Sequence, residues 1–418
     1  MRPSLCYYMK TGAFFLVAFL VAGVILCGCT GSPAGTKSKD AVIGVLVPLT
    51  GDWSSKGQDF NAAIELAAED TNANLASTGS GKKVRLLVED TGTDPAVAAE
   101  KIKKLQQEGV RIVVGPASSA ELASVKDWAD QHGIILIGYA STSPALSVPG
   151  DNVFRLVPDD TRQGEAMSGY LEQSGIKVII PAARNDTWGK GLLNATKSRF
   201  EQNGGVVLKG YLFEPGTRDF TPVLENLSTQ VTAAQQQYGN HSVGVYAIGF
   251  DEMVPLLSGA GAYPVLANVQ WFGNDGAAKS EALTKNVSAA HFAEITGFYS
   301  PIYGEEEESG GFADVRQRIL AKTGIAADPY SLAAYDATAI AARSLLNSED
   351  ASYDQLKKAV ELTAGYYYGV TGWTKFIESG DRAYAVYGFW TIKTVNDTPT
   401  WVQVARFESA PGQPGHFT

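Results

Sequence analysis

Cysteine is the residue type that this 418-residue sequence most nearly lacks. Its three cysteines, Cys6, Cys27 and Cys29, all lie in the first 29 residues. A disulfide or a catalytic thiol is therefore excluded from the rest of the chain. The four histidines show no metal-ligand spacing, and no Ser/His/Asp grouping falls on predicted strand ends. The sequence thus predicts a protein that is not an enzyme and that has no metal or other cofactor.

Positive charge is also scarce, with 34 Lys and Arg against 44 Asp and Glu. Arg2 and Lys10 precede an uncharged stretch, and removing both with that stretch leaves a net charge of −12. Such an excess of acid argues against nucleic acid, and against an anionic membrane surface, as a partner. The net negative charge favours solubility of the protein.

The N-terminal segment has the pattern of an export signal, because residues 11–28 carry no charge and follow two basic residues. Its end, "LCGC", resembles a lipobox, in which cleavage after Gly28 leaves a lipid on Cys29. We therefore predict a signal peptide at 1–28 and a tether at 29–40. The alternative is an uncleaved helical anchor, since eighteen apolar or small residues are near the minimum for a span. Either interpretation places the remaining chain outside the cytoplasm.

Apolar strands alternate with helices along the chain, as in "VIGVLVPL", "FNAAIELAAEDTNA" and "KVRLLVED". This alternation predicts parallel sheets covered on both faces. It restarts after "NVFRLVPDD", which predicts an α/β fold of two doubly wound lobes joined by a hinge of several segments. We expect residues 41–155 and about 299–368 in lobe 1, and 156–298 and about 369–410 in lobe 2.

Hydroxyl side chains follow two strands of the first lobe, in "GPASSAE" and "GYASTSPALS". In doubly wound sheets, ligands bind beyond the carboxyl ends of the strands. Hydroxyls and free N–H groups at a helix start can bind an anion. The alternative is that Ser118 and Ser119 only cap the next helix.

Aromatic and acidic side chains end the strands of the second lobe: Trp188, Phe250, Asp251 and Asp275. The aromatics offer an apolar wall and a carboxylate offers a partner for a cation. If these aromatic and acidic side chains face the hydroxyls of the first lobe across a cleft, the site would suit a zwitterion such as an amino acid. The alternatives are a core position for Trp188 and helix capping for the two acids.

Several motifs in order resemble one known family over about residues 40–407. They include "IGVLVPLTGDWSSKGQDFNAAIELAAEDTNA", "EDTGTDPAVAAEKIKKL", "YASTSPALS", "VFRLVPDD", "WGKGL" and "YSLAAYDAT". The chain resembles the solute-binding proteins of ABC importers of the leucine/isoleucine/valine-binding type. The resemblance implies a monomeric protein of two lobes that closes around an amino acid and delivers it to a membrane permease.

The resemblance also implies which residues bind the ligand. The ligand carboxylate is expected at Ser119 and Thr142, and the main chain near Ala140 and Thr142 helps to hold the ammonium. Asp275 is the acidic partner of that ammonium. Side-chain contacts in the family match the positions of Trp188, Phe250 and Tyr330.

Lys56 is the main departure from the family, because relatives commonly carry an aromatic residue there. A lysine that faces the cleft would favour an acidic or amide-bearing ligand, whereas one that snorkels away would not. Trp53 could then supply the apolar wall. Asp275 also replaces the more usual glutamate, which shortens its reach by one methylene. The alternative function is a ligand-sensing module in which closure signals to a receptor.

Overall fold

A computed structural model describes residues 40–304, 311–409 and 414–418 of the chain. The predicted signal peptide, the lipidation at Cys29 and the tether up to residue 39 lie outside the described residues. Within the described ranges, no helix combines the length and the apolar character that a membrane span requires.

The first lobe is a parallel sheet with helices on both faces, which confirms the fold class predicted from the alternation. Its elements are β1 (Ala41–Val47), α1 (Ser54–Ser77), β2 (Val84–Asp90), α2 (Pro95–Gln107), β3 (Ile112–Val114), α3 (Ser119–Gln131), β4 (Ile135–Gly138) and β5 (Val153–Arg155). The strand order is β2-β1-β3-β4-β5. Strands β3, β4 and β5 are buried along their whole length, because helices keep both faces of the sheet from water.

The second lobe repeats this architecture with strand order β10-β9-β6-β7, and β8 also pairs with β6. Its strands are β6 (Val178–Arg184), β7 (Val206–Val207), β8 (Tyr211–Phe213), β9 (Val243–Ile248) and β10 (Gln270–Phe272). Its helices are α4 (Asp160–Gln173), α5 (Thr187–Gln202), α6 (Thr221–Tyr238), α7 (Met253–Ala260), α8 (Pro264–Ala267), α9 (Glu281–Lys285) and α10 (Val287–Thr296).

The C-terminal third returns to both lobes. It contains β11 (Ser300–Tyr303), α11 (Phe312–Thr323), α12 (Pro329–Leu346), α13 (Tyr353–Tyr366), β12 (Tyr368–Gly369), β13 (Gly372–Trp373), β14 (Ala385–Val395), β15 (Thr398–Ser409) and β16 (His416–Phe417). Helices α11 and α12 pack against α1 of the first lobe. Strands β11, β14, β15 and β16 form an antiparallel sheet, and β14 packs against α4 and α10 of the second lobe.

The lobe boundaries expected near residues 299 and 369 stay a prediction. Strand β11 pairs with β14, which places it beside the second lobe. Thr371 donates its N–H to Asp336 of α12 at 2.9 Å, and Asp381 pairs with Arg155 of the first sheet. We therefore propose that the chain crosses to the first lobe after β11 and returns just before β14.

The two lobes are closed on each other. One continuous cluster of buried apolar side chains runs from the first lobe into the second, and it includes Trp53, Tyr139, Trp188 and Phe250. Because aromatic side chains of both lobes share one core, the junction between the lobes is the place where ligand contacts would be buried.

Candidate functional site

Ser119 is the first residue of α3, and its hydroxyl joins two loops at the carboxyl edge of the first sheet. Its Oγ accepts hydrogen bonds from the Ser141 hydroxyl at 3.0 Å, the Thr142 N–H at 3.2 Å and the Ser143 N–H at 3.1 Å. All four residues are buried. The loop after β4 is therefore folded onto the start of α3, with Ala140 buried beside it.

Ser118 has the capping role that the sequence left open. It accepts a hydrogen bond from the N–H of Glu121 at 3.3 Å, and the Glu121 carboxylate accepts from the N–H of Ser118 at 3.1 Å. This reciprocal pair is a capping box, which satisfies the free N–H groups at the start of α3. Ser118 is thus occupied by local structure.

Among the remaining hydroxyls of "STSPALS", Thr142 differs from its neighbours. Ser143 donates to the main-chain carbonyl of Thr187 in the second lobe at 3.1 Å, and Ser147 donates to Asp159 at 3.0 Å. The Oγ1 of Thr142 is buried, lies against the carboxylate of Asp160 and makes no well-formed hydrogen bond. Because buried polar atoms nearly always have partners, Thr142 is the hydroxyl with capacity left for a ligand.

Three aromatic rings form a stack across the junction. The ring of Trp53, just before α1, lies 4.4 Å from that of Phe250 with an interplanar angle of 11°. The ring of Phe250 lies 4.4 Å from that of Trp188 at 9°. The indole N–H of Trp53 donates to the carbonyl of Gly276 in the second lobe at 3.1 Å. The stack therefore ties the first lobe to the second.

Gly276 is required by the close approach of this stack to the chain. A β-carbon at position 276 would lie 2.7 Å from a ring carbon of Phe250 and 2.9 Å from one of Trp188. Both distances are shorter than ordinary van der Waals contact, and stacked rings buried in a closed core have little room to move. Glycine therefore allows the aromatic wall to reach the loop that carries Asp275.

Two buried carboxylates lie together at the end of this loop. Asp275 accepts a hydrogen bond from the Tyr330 hydroxyl at 2.5 Å, and its main-chain N–H donates to Gln163 at 3.2 Å. The side-chain amide of Gln163 donates to Asp160 at 2.9 Å. The N–H of Asp160 donates to the carbonyl of Thr142 at 2.8 Å. One oxygen of each carboxylate, Oδ1 of Asp275 and Oδ2 of Asp160, makes no well-formed hydrogen bond, although the Thr142 hydroxyl lies against the Asp160 carboxylate.

Both carboxylates have pKa values above their ordinary range. Burial, followed by the negative charge of Asp275, raises the pKa of Asp160 well above its usual value. Burial also raises the pKa of Asp275, although hydrogen bonds from Tyr330 and Gln163 oppose the rise. A cation bound between the two acids would stabilise both in their ionised form.

Lys56 does not offer an unpaired charge at the junction. Its ammonium forms a buried ion pair with Asp328, the N-cap of α12, and donates to the carbonyl of Ala278 in the second lobe at 2.9 Å. Burial raises the pKa of Asp328, but the charge of Lys56, together with the hydrogen bonds from Lys56 and from the N–H of Ser331, outweighs burial and lowers that pKa. Whether Lys56 contacts a ligand stays a prediction, and in this structure its charge is paired with Asp328.

Comparison with known proteins identifies the family. The profile of the family described as periplasmic binding protein matches residues 41–396. This chain belongs to that family. It is a binding protein rather than an enzyme, as the sequence predicts.

Three relatives show how far the similarity extends. An uncharacterized protein of Methanocaldococcus jannaschii is 30% identical and covers 91% of this chain and 94% of its own. The leucine-, isoleucine-, valine-, threonine-, and alanine-binding protein of Pseudomonas aeruginosa is 24% identical over 89% of this chain and 94% of its own. The structure of LivJ from Streptococcus pneumoniae in complex with isoleucine has a TM-score of 0.70 at 19% identity, covering 88% of this chain and all of LivJ.

Polar contacts around the start of α1 also hold this periplasmic binding protein closed. Asp52 pairs with Arg184 at 3.0 Å and with Arg218 at 2.9 Å, both in the second lobe. Ser55 donates its hydroxyl to Asp251 at 2.7 Å. Asp251 therefore binds the opposite lobe rather than capping a helix.

Sequence reasoning missed Asp160, Gln163 and Asp328. Asp160 ends the segment "NVFRLVPDD", which served only to mark where the second lobe begins, and Gln163 follows it. A signal was nevertheless present, because two consecutive acids begin α4 and only Asp159 caps it. Asp328 carried no such signal, since it lies 272 residues from Lys56 in the sequence.

Proposed function

We propose that this periplasmic binding protein captures an amino acid or a related small molecule between its lobes and delivers it to an ABC permease. The observation that carries the proposal is a set of three buried polar atoms at the junction that lack a well-formed hydrogen bond: Oγ1 of Thr142, which lies against the carboxylate of Asp160, Oδ2 of Asp160 and Oδ1 of Asp275. A bound ligand would give each of them a hydrogen bond. The amino acids that the Pseudomonas aeruginosa relative is named for binding, and the isoleucine in the LivJ complex, support this ligand class.

Each predicted residue has a role in this proposal. Asp275, oriented by Tyr330, receives the ammonium of the ligand, and Thr142 contacts its polar end together with the main chain near Ala140 and Ser119. Trp53, Phe250 and Trp188 form the apolar wall. Lys56 positions the wall and the loop around Ala278 through its ion pair rather than by contacting the ligand.

Closure couples binding to delivery. A ligand that contacts both lobes stabilises the closed form by its differential affinity for that form. Cross-lobe bonds such as Ser55 to Asp251 and Ser143 to Thr187 form only when the lobes meet. The closed form is then the one that a permease distinguishes from the empty protein.

A thermal-shift screen tests the proposed function. The mature chain is heated with amino acids, amino acid amides, dicarboxylates and aromatic acids, each at high concentration. A ligand present at about 100 times its Kd should add roughly 2.7 kcal/mol to the free energy of unfolding. Stabilisation by dicarboxylates or aromatic acids alone, with none by any amino-bearing compound, would contradict the amino acid class.

We further propose that Cys29 carries a lipid that holds the protein at the outer face of the cell membrane. The lipobox "LCGC" supports this. Cys29→Ser should leave the signal peptide uncleaved or release the protein from the membrane fraction. Mass spectrometry of the N-terminus distinguishes a cleaved, lipidated protein from one with an uncleaved anchor. An intact, unlipidated N-terminus in the unsubstituted protein would favour the helical anchor.

A further inference from the structure

Trp53, just before α1, is held in place on several sides. Its main-chain N–H donates to the hydroxyl of Thr93 at 3.1 Å, and its indole N–H donates to the carbonyl of Gly276 at 3.1 Å. Its ring packs edge to face with Phe60 and Tyr330, at centroid distances of 5.5 and 6.3 Å. The side chain is buried. A large side chain with these contacts has little freedom to move in the closed protein.

The stack that begins with Trp53 leaves no slot for a ligand side chain between its rings. The centroids of Trp53 and Phe250, and those of Phe250 and Trp188, are each 4.4 Å apart, with interplanar angles of 11° and 9°. Carbon atoms in contact lie about 3.5 to 4.0 Å apart, so an alkyl chain between two parallel rings would need them roughly 7 to 8 Å apart. The three rings are therefore in direct face-to-face contact.

The stack lies beside the carboxylate that receives the ligand ammonium in the proposed function. Gly276 directly follows Asp275, and a β-carbon at position 276 would lie 2.7 Å from Phe250 and 2.9 Å from Trp188. Tyr330, which packs against the first ring of the stack, donates its hydroxyl to Asp275 at 2.5 Å. Rings of the protein thus fill the space on this side of Asp275.

Aromatic side chains also connect Trp53 to the loop that carries Thr142. Phe60 packs against Trp53, and its ring centroid lies 5.1 Å from that of Tyr139. Tyr139 directly precedes Ala140 in the chain. The rings therefore extend from one proposed polar contact of the ligand to the other, and Trp53 lies at their centre.

We propose that Trp53 limits the ligand to amino acids with a short side chain, such as glycine, alanine and serine. This inference rests on the proposed function and names the ligand class within it. A longer side chain needs the space that the indole occupies. It would force Trp53 away from Phe250 and break the bond to Gly276, so the lobes would not close fully around such a ligand.

The test is calorimetric titration of the mature protein with glycine, alanine, serine, valine, leucine and phenylalanine. The best-binding of the three short amino acids should bind at least about tenfold more tightly than leucine and phenylalanine, because overpacking a closed site is costly. A smaller difference, or tighter binding of leucine or phenylalanine, makes the inference wrong while the proposed function stands. If none of these amino acids binds, both are wrong.

Trp53→Ala provides the second arm of the test. Losing the bond to Gly276 should weaken closure around every ligand, so the informative quantity is the ratio of leucine to alanine affinity. Removing the indole opens space for the longer side chain, and this ratio should rise at least about tenfold, against an overpacking cost of the same order. Trp53→Leu keeps an apolar side chain for the core and should raise the ratio by less, which preserves the test if Trp53→Ala fails to fold.

Trp128→Ala is the matched control. Trp128 lies near the end of α3 that is far from Ser119, and its ring stacks on His132 with the centroids 3.9 Å apart. The same substitution there should leave the ratio of leucine to alanine affinity unchanged. An unchanged ratio in the folded Trp53 variants, or an equal rise in Trp128→Ala, would overturn the assignment to Trp53.

Discussion

Arg184→Met should lower the free energy of unfolding by about 3 to 5 kcal/mol, the cost of removing one partner of a buried ion pair. The Arg184 side chain is 3% exposed and ends β6. Its guanidinium pairs with Glu252, with Asp186 at 2.7 Å and with Asp52 of the first lobe at 3.0 Å. Methionine fills a similar volume but leaves these carboxylates without their central cation. Chemical denaturation of the unliganded protein measures the loss.

The cost of Arg184→Met should also increase with pH. Burial raises the pKa of Glu252, and the charge of Arg184 opposes that rise. Without Arg184 the folded-state pKa rises further, while the unfolded-state pKa stays near its ordinary value of about 4.3. An acid with a raised folded-state pKa destabilises the folded protein once the pH exceeds its unfolded-state pKa. The loss should therefore be small near pH 4 and reach its full size toward pH 7.

Arg218→Met is the matched control for this prediction. Arg218 pairs with the same Asp52 at 2.9 Å, but its side chain is 65% exposed. Exposed pairs contribute about 1 kcal/mol or less. Equal losses in the two variants, or a loss in Arg184→Met that does not change with pH, would show that burial of the ion pair is not the source of stability.

The fold class could be predicted because local patterns determine it. A strand such as "ILIG" of β4, buried at every position, has to be covered on both faces, and each such strand is followed by a helix. The pairing of β11 with β14 has no comparable local signal. Residues 300–303 and 387–390 are antiparallel neighbours across a long stretch of chain, so this pairing could not be predicted from sequence.

The candidate site could be predicted only in part, for a related reason. The nine predicted residues are all buried, and their contacts gather them at the junction of the lobes. The type of residue at a strand end indicated which side chains reach this junction. It could not indicate that Asp328 would neutralise Lys56, or that Asp160 would join Asp275, because both pairings depend on tertiary contacts.

Asp275→Asn should weaken the binding of amino-bearing ligands by about 30-fold to several thousand-fold. Asp275 is 2% exposed, and closure removes its neighbourhood from water. Removing one partner of a buried, hydrogen-bonded charge pair costs about 2 to 5 kcal/mol, because the other charge stays buried without compensation. Asparagine is nearly isosteric and can still accept the bond from Tyr330, so the geometry of the loop should be kept.

Calorimetric titration with the best ligand of the thermal-shift screen measures this effect. Asp127→Asn is the matched control, because it makes the same charge change at a side chain that is 82% exposed, and it should bind as the unsubstituted protein does. The hydroxy acid analogue of the ligand lacks the ammonium and should lose little affinity in Asp275→Asn. A loss of affinity below about twofold for the amino-bearing ligand, or roughly 0.4 kcal/mol, would show that Asp275 does not bind the ligand ammonium. A ligand without an amine would then be the better proposal.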